Sequence, residues 1–190
     1  IETGLPLVYL NLVGGQDDQI FDGASFALNN GGSLAAQMPA FEEGISHLTL
    51  TQDGQGWQIE KTALAAMPDQ LEADYHAMVL GLRDYMAKAG FARAVLGLSG
   101  GVDSALVAAI AADAIGAENV HCVMLPSRFT SDTSLEDARA VAKMLGTKLD
   151  TLPIEGPKEA VEATLAPLFA GLAPDLTEEN IQSRLRGLLL

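Results

Sequence analysis

The chain has 190 residues, 48% hydrophobic and 19% charged, a globular composition that suffices for one good domain or parts of two. Lys plus Arg is 11 against 25 Asp plus Glu, so the net charge is −14 and the pI is near 4.4, which opposes general binding to nucleic acid or anionic membranes. No apolar stretch reaches the roughly 18 residues of a membrane span, no signal-peptide pattern is present, and the single Cys122 excludes an internal disulfide and points to a reducing, cytoplasmic compartment.

The first 60 or so residues read as strands and turns, antiparallel or mixed. Residues 7–13 are an apolar run with Asn11 inside it, expected as a strand ended by Gly14-Gly15. A polar loop is expected at 16–18 and a short strand at 24–28. Asn29-Asn30-Gly31-Gly32 is a hairpin turn, because these residue types accept a positive φ. The return strand is 33–38, closed by Pro39; residues 45–50 alternate as a strand, and 57–61 form the last one. Asp17, Asp18 and Asp22 lie close together, but their spacing fits no calcium loop, so a solvated acidic loop is expected. Residues 62–70 are a connector punctuated by Pro68. Residues 71–90 then carry Leu71, Tyr75, Met78, Val79 and Leu82 at helical spacing, with Gly90 as the stop.

The most informative stretch follows. Residues 93–98 are an apolar run that reads as a buried strand, and 102–115 are Ala-rich and helical up to Gly116. Between them lies Ser99-Gly100-Gly101. Strand, glycine-rich turn and helix together aim backbone N–H groups and a helix N-terminus at an anion. A Walker A loop would end in Lys followed by Ser or Thr. Here the closing pair is Asp103-Ser104. A carboxylate beside phosphate is repulsive unless a cation lies between them, so Mg²⁺ held by Asp103 is expected. The bland alternative is a solvated turn with Asp103 serving only the helix end.

Regular alternation continues. A strand is expected at 119–125, ended by Pro126, and a helix at 134–145 with Thr133 and Glu136 as capping box. A third strand spans 148–154; Pro157 opens a helix to about 169, and Thr177 caps the last helix. Strands and helices alternating at these lengths mean βαβ units and a parallel sheet, which binds ligands at the carboxyl ends of its strands. Residues 99–101 and 125–128 stand at such ends. Asn180 and Arg184 share a helix face, and Arg184 and Arg186 stand out in a chain poor in cations. Cys122 sits in an apolar strand and is expected to be inert; His47, His76 and His121 are isolated and structural.

Ser99-Gly100-Gly101-Val102-Asp103-Ser104 after an apolar strand resembles the pyrophosphate loop of the N-type ATP pyrophosphatases. These enzymes cleave ATP between the α- and β-phosphates and adenylylate a substrate oxygen, and a nucleophile then displaces AMP. Asn11 to Asp18 followed by Phe21-Asp22-Gly23-Ala24-Ser25-Phe26 resembles the late part of a nitrilase-like glutaminase domain. That order is the one found in glutamine-dependent NAD synthetases. The resemblance implies the last strands of an αββα nitrilase-like domain at 1–61, a linker at 62–70 and the start of an adenine-nucleotide α-hydrolase-like synthetase domain at 71–190.

By the same resemblance, ATP lies on Gly97, Leu98, Ser99, Gly100, Gly101, Val102, Asp103 and Ser104, with adenine read by backbone around Met124 and Leu125. Arg128 is either a phosphate contact or a solvated cation. Asn180, Arg184 and Arg186 resemble the family's Asn-x-x-x-Arg-x-Arg element, by which Asn180 and Arg184 meet nicotinic acid adenine dinucleotide, or else the cations offset Glu178 and Glu179 on a surface helix. The implied reaction is amidation of that dinucleotide to NAD by glutamine-derived ammonia, with release of AMP and pyrophosphate. The chain reads as an internal piece of a longer protein, with the glutaminase Cys, Glu and Lys expected before Ile1. Homo-oligomeric assembly is expected. The rival readings are another amidotransferase of the superfamily and an ATP-binding module without turnover.

Overall fold

Strand-forming residues interrupted by glycine and asparagine fold the first part of the chain into short antiparallel ladders. The computed structural model describes residues 4–54, 56–171 and 176–190. It divides into two compact units, 1–90 and 91–190.

In the first unit β1 (Leu7–Tyr9), β4 (Phe26–Leu28) and β5 (Leu34–Gln37) form an antiparallel sheet in the order β1-β4-β5. β2 (Val13–Gln16) pairs with β3 (Gln19–Asp22), and β6 (Leu50–Asp53) pairs with β7 (Gly56–Ile59). The expected turn at 29–32 joins β4 to β5, with Gly31 and Gly32 both at positive φ. Ala27, Ala35, Ala36 and Ile59 make a small core, and Leu48 packs against it.

Three expectations here need correction. The run 7–13 is two strands, because Asn11 leaves the ladder: its N–H donates to Ser25 Oγ at 3.0 Å and its Nδ2 to Asp22 Oδ1 at 2.9 Å. The polar loop 16–18 is a tight turn, with Asp17 at φ 54°, that brings back β3. Residues 45–49 form no strand, and Ile45 stays 89% exposed. Alternation does not make a strand without a neighbour to pair with.

Helix α1 (Gln70–Ala89) starts where Asp69 accepts from the Glu72 N–H and ends at Gly90 in the left-handed conformation. It packs on β2 through glycine. A Cβ on Gly15 would stand 3.4 Å from the α-carbon of Gly81, so the two backbones approach closely. Asp84 Oδ2 accepts the Gly15 N–H at 2.8 Å, and Lys88 donates to the Gly15 carbonyl. By packing, α1 groups with the first unit.

The second unit is α/β. Its sheet has the order β10-β9-β8 and is parallel throughout, with β8 at Ala94–Gly97, β9 at Val120–Met124 and β10 at Lys148–Thr151. Crossovers are α2 (Val102–Ile115) and α3 (Asp132–Leu145), and α4 (Glu155–Phe169) and α5 (Leu176–Leu189) follow. Leu98, Val120, Cys122, Val123, Met124 and Ile154 are buried around β9. Ser131, not Thr133, caps α3, accepting the Ser134 N–H at 3.1 Å. Pro157 is the third residue of α4 rather than the first, still within the turn whose N–H groups need no helical partner. Thr177 lies inside α5, which is already helical at Leu176. Among the described residues no helix is long and apolar enough to cross a membrane.

Candidate functional site

The loop after β8 is built by its own small residues. Ser99 N–H donates to Ser104 Oγ at 3.2 Å, and the two hydroxyls lie 3.1 Å apart. Gly101 N–H donates to Ser99 Oγ at 3.3 Å, and Ser104 Oγ donates to the Gly101 carbonyl at 3.0 Å. These bonds fold residues 99–104 into a cup whose closing wall is the first turn of α2. Gly101 is the N-cap of α2, so no side chain covers that helix end. Its partial positive charge therefore faces outward. Asp103 is exposed in the same turn. Gly100 has φ +85°, a conformation open to glycine.

The carboxyl ends of β8 and β9 enclose a cleft of about 370 Å³. Gly97, Leu98 and Ser99 line one side; Val123, Met124, Leu125, Pro126 and Thr130 line another; Leu135, Arg186 and Leu190 complete it. The walls are mainly apolar, as suits a flat ring. Met124 and Leu125 thus line the same cleft as Ser99. The strand-end carbonyls are taken in order: Val123 accepts from Leu98 N–H at 2.9 Å, Met124 from Leu152 N–H at 2.8 Å, and Pro126 from Ile154 N–H at 3.0 Å. The Leu125 carbonyl accepts from Arg186 Nε at 3.2 Å.

Arg128 lies elsewhere. Its backbone N–H donates to Glu155 Oε2 at 3.1 Å, its Nε stands 3.8 Å from Glu155 Oε1, and its guanidinium lies over the Phe129 ring. The Arg128 backbone N–H, aided by the buried Lys158, holds the Glu155 carboxyl below its ordinary range. Arg128 lines a second cavity with Phe129, Lys158 and Phe169, not the cleft beside Ser99. Asn180 and Arg184 are exposed on α5.

Outside the cleft, Asp150 sits between Lys148 Nζ and His121 Nε2, each at 2.7 Å, and the two bonds lower its pKa, that from Lys148 the more. Cys122 is buried in β9 with Sγ 3.5 Å from Thr147 Oγ1. Asp22 accepts from Asn11, and no cluster of three metal-ligating side chains is found among the described residues.

The NAD synthase family pattern matches residues 74–190. The chain belongs to the NAD synthase family. A glutamine-dependent NAD(+) synthetase of Rhodobacter capsulatus is 64% identical over 100% of the chain, which spans 34% of that relative. One from Synechocystis is 46% identical over 98% of the chain and 33% of the relative. A solved glutamine-dependent NAD+ synthetase from Acinetobacter baumannii, in complex with adenosine diphosphate, superposes with a TM-score of 0.93 at 41% identity, over 99% of this chain and 35% of that one. The chain therefore spans about a third of the curated relatives it matches.

Within this NAD synthase family member, the parallel sheet and Gly-rich loop expected from the pyrophosphatase resemblance are both present. Sequence reasoning grouped Arg186 with Asn180 and Arg184 in the dinucleotide element and did not assign it to this cleft, which it lines. Thr130 and Leu135 carried no signal before the loop after β9 had a path.

Proposed function

We propose that residues 97–104 hold the triphosphate of ATP for cleavage at the α-phosphorus, within a glutamine-dependent NAD(+) synthetase. The observation that carries this is the 99–104 cup: its serines and glycines are knit together by their own hydrogen bonds, the N-terminus of α2 beside it carries no side-chain cap, and an acid stands where a phosphate-binding lysine would be. The adenosine diphosphate complex of the Acinetobacter baumannii relative supports the nucleotide. Adenine would lie on Met124 and Leu125 in the apolar cleft. The carboxylate of nicotinic acid adenine dinucleotide would attack the α-phosphorus with pyrophosphate leaving, and ammonia would then displace AMP. The donors of the cup stabilise the leaving pyrophosphate and keep the chain in line; no protein nucleophile is required. Cys122 is buried in β9 and takes no part in this reaction.

The donor set fits Mg²⁺. Asp103 offers an exposed hard carboxylate with the Ser99 and Ser104 hydroxyls in the adjoining cup, and phosphate oxygens and water would supply the remaining positions. When bound, the ion would neutralise charge on the phosphates. Asn180 and Arg184 would meet the dinucleotide from the exposed side of α5, and homo-oligomeric assembly and a cytoplasmic setting belong to the same reading.

The test is Asp103→Asn in the full-length protein. Pyrophosphate release should fall by about two orders of magnitude, the usual scale for one lost electrostatic contact at a reacting centre. Glutamine hydrolysis should persist. Unchanged pyrophosphate release removes the cation role of Asp103, and ATP turnover to ADP and orthophosphate overturns the reaction.

A further inference from the structure

Arg184 and Arg186 are two positions apart on α5, so their side chains leave the axis about 200° apart. Their surroundings agree with this. Arg184 is exposed, Leu185 between them is buried, and Arg186 is half-buried in the cleft wall. One helix thus presents one arginine outward and the other to the end of β9. What Arg186 does there is specific. The carbonyls of Val123, Met124 and Pro126 each accept a backbone N–H, whereas the Leu125 carbonyl accepts the guanidinium Nε–H at 3.2 Å. That bond fixes the strand end and ties α5 to it.

We infer that Arg186 is the positioning residue of the nucleobase end of the cleft, holding the Leu125 backbone and α5 in place for ATP, apart from the dinucleotide role that the function proposed above gives Arg184 on the exposed face. The inference rests on the function proposed above. A guanidinium has five donors in a rigid fork, so the bond through Nε leaves others for the nucleotide. A lysine could reach the carbonyl but not hold it in a plane. Because the same short helix carries both arginines, the two substrates depend on one element yet on different residues, which separates their kinetic signatures.

The experiment compares Arg186→Met and Arg184→Met in the full-length protein, measuring ATP binding by calorimetry without dinucleotide, then KM for each substrate and kcat. Arg186→Met should weaken ATP binding and raise its KM about tenfold, the scale of one charge-assisted hydrogen bond. The dinucleotide KM should stay within about twofold and kcat at saturation within about threefold. Arg184→Met should do the converse. A merely structural role would move both KM values together with the thermal midpoint, and that result overturns the inference; so does wild-type ATP affinity in a folded Arg186→Met. Should Arg186→Met fail to fold, Arg186→Lys decides: at least threefold weaker ATP binding supports the inference, and wild-type affinity overturns it. A wild-type protein that does not bind ATP sinks the proposed function itself, and the role of Arg186 with it.

Discussion

Gly100 stands at φ +85° directly beneath the start of α3. A Cβ there would lie 2.9 Å from the carbonyl carbon of Ser134 and 3.0 Å from its α-carbon, backbone atoms that cannot swing aside. The left-handed conformation costs an alanine about 1–2 kcal/mol, and forced repacking adds about 1–3 kcal/mol. Gly101 is different: its φ is −84°, and an added Cβ meets only Ser99 Oγ at 3.4 Å. Gly100→Ala should therefore lower the thermal midpoint and ATP affinity together, whereas Gly101→Ala keeps the fold. Thermal denaturation and ATP titration of both variants check this; equal midpoints would remove the α3 contact as the reason for glycine. At this scale the loop was legible, because a glycine pair, two hydroxyls and an acid in fixed order admit few chemistries. The arginines were less so. Sequence spacing puts Asn180 and Arg184 on one face but does not say which face meets β9. Only the bond from Arg186 to the Leu125 carbonyl, with Arg186 half-buried and Arg184 exposed, settles that Arg186 is the inward one. Likewise nothing local in 125–130 shows that Glu155, at the start of α4, draws Arg128 away from the cleft.

At the scale of elements, the joint between α1 and β2 shows why the two halves of the chain differed in legibility. Strands β8 and β9 are short, mainly apolar runs, and helices alternate with β8, β9 and β10 at regular spacing, so the period is plain even where β10 itself is polar. β2 contains Gly14-Gly15, which in isolation reads as the end of a strand. The glycines are there because α1 lies against them at Gly81, and its side chains bond both polar groups of Gly15: Asp84 takes the N–H and Lys88 the carbonyl. The missed β3 follows from the same cause, since a strand ended at Gly14-Gly15 leaves nothing for it to pair with. Asp84→Ala leaves a part-buried N–H without its charged acceptor and should cost about 1.5–3 kcal/mol. Lys88→Ala, at an exposed residue, should cost less than about 1 kcal/mol. Urea denaturation followed by circular dichroism measures both. Equal small losses would mean that the glycine packing alone holds α1.

Over the whole molecule, 25 acids against 11 bases set the response to pH. Lowering pH from 8 toward 5 reduces like-charge repulsion in a chain at −14, so stability should rise gently over that interval. Below the ordinary carboxylate range the sign reverses for groups whose folded pKa is depressed. Asp150 is one, through its bonds to Lys148 and His121, and Glu155 is another, through the Arg128 N–H. A depressed folded pKa means that the unfolded chain takes up the proton first as acid is added. The stabilisation is therefore complete above the unfolded pKa, about 4 for an aspartate, and is lost as pH falls through the lower folded value. Asp150→Asn cannot titrate and cannot accept Lys148 and His121 as a carboxylate does. Its thermal midpoint should lie below that of wild type by a constant amount from pH 8 to 5, and the gap should close below about pH 4. Midpoints measured across pH 3–8 check the sign. A gap that widens in acid would place the folded pKa of Asp150 above its unfolded value and reverse the account of the Lys148–Asp150–His121 cluster.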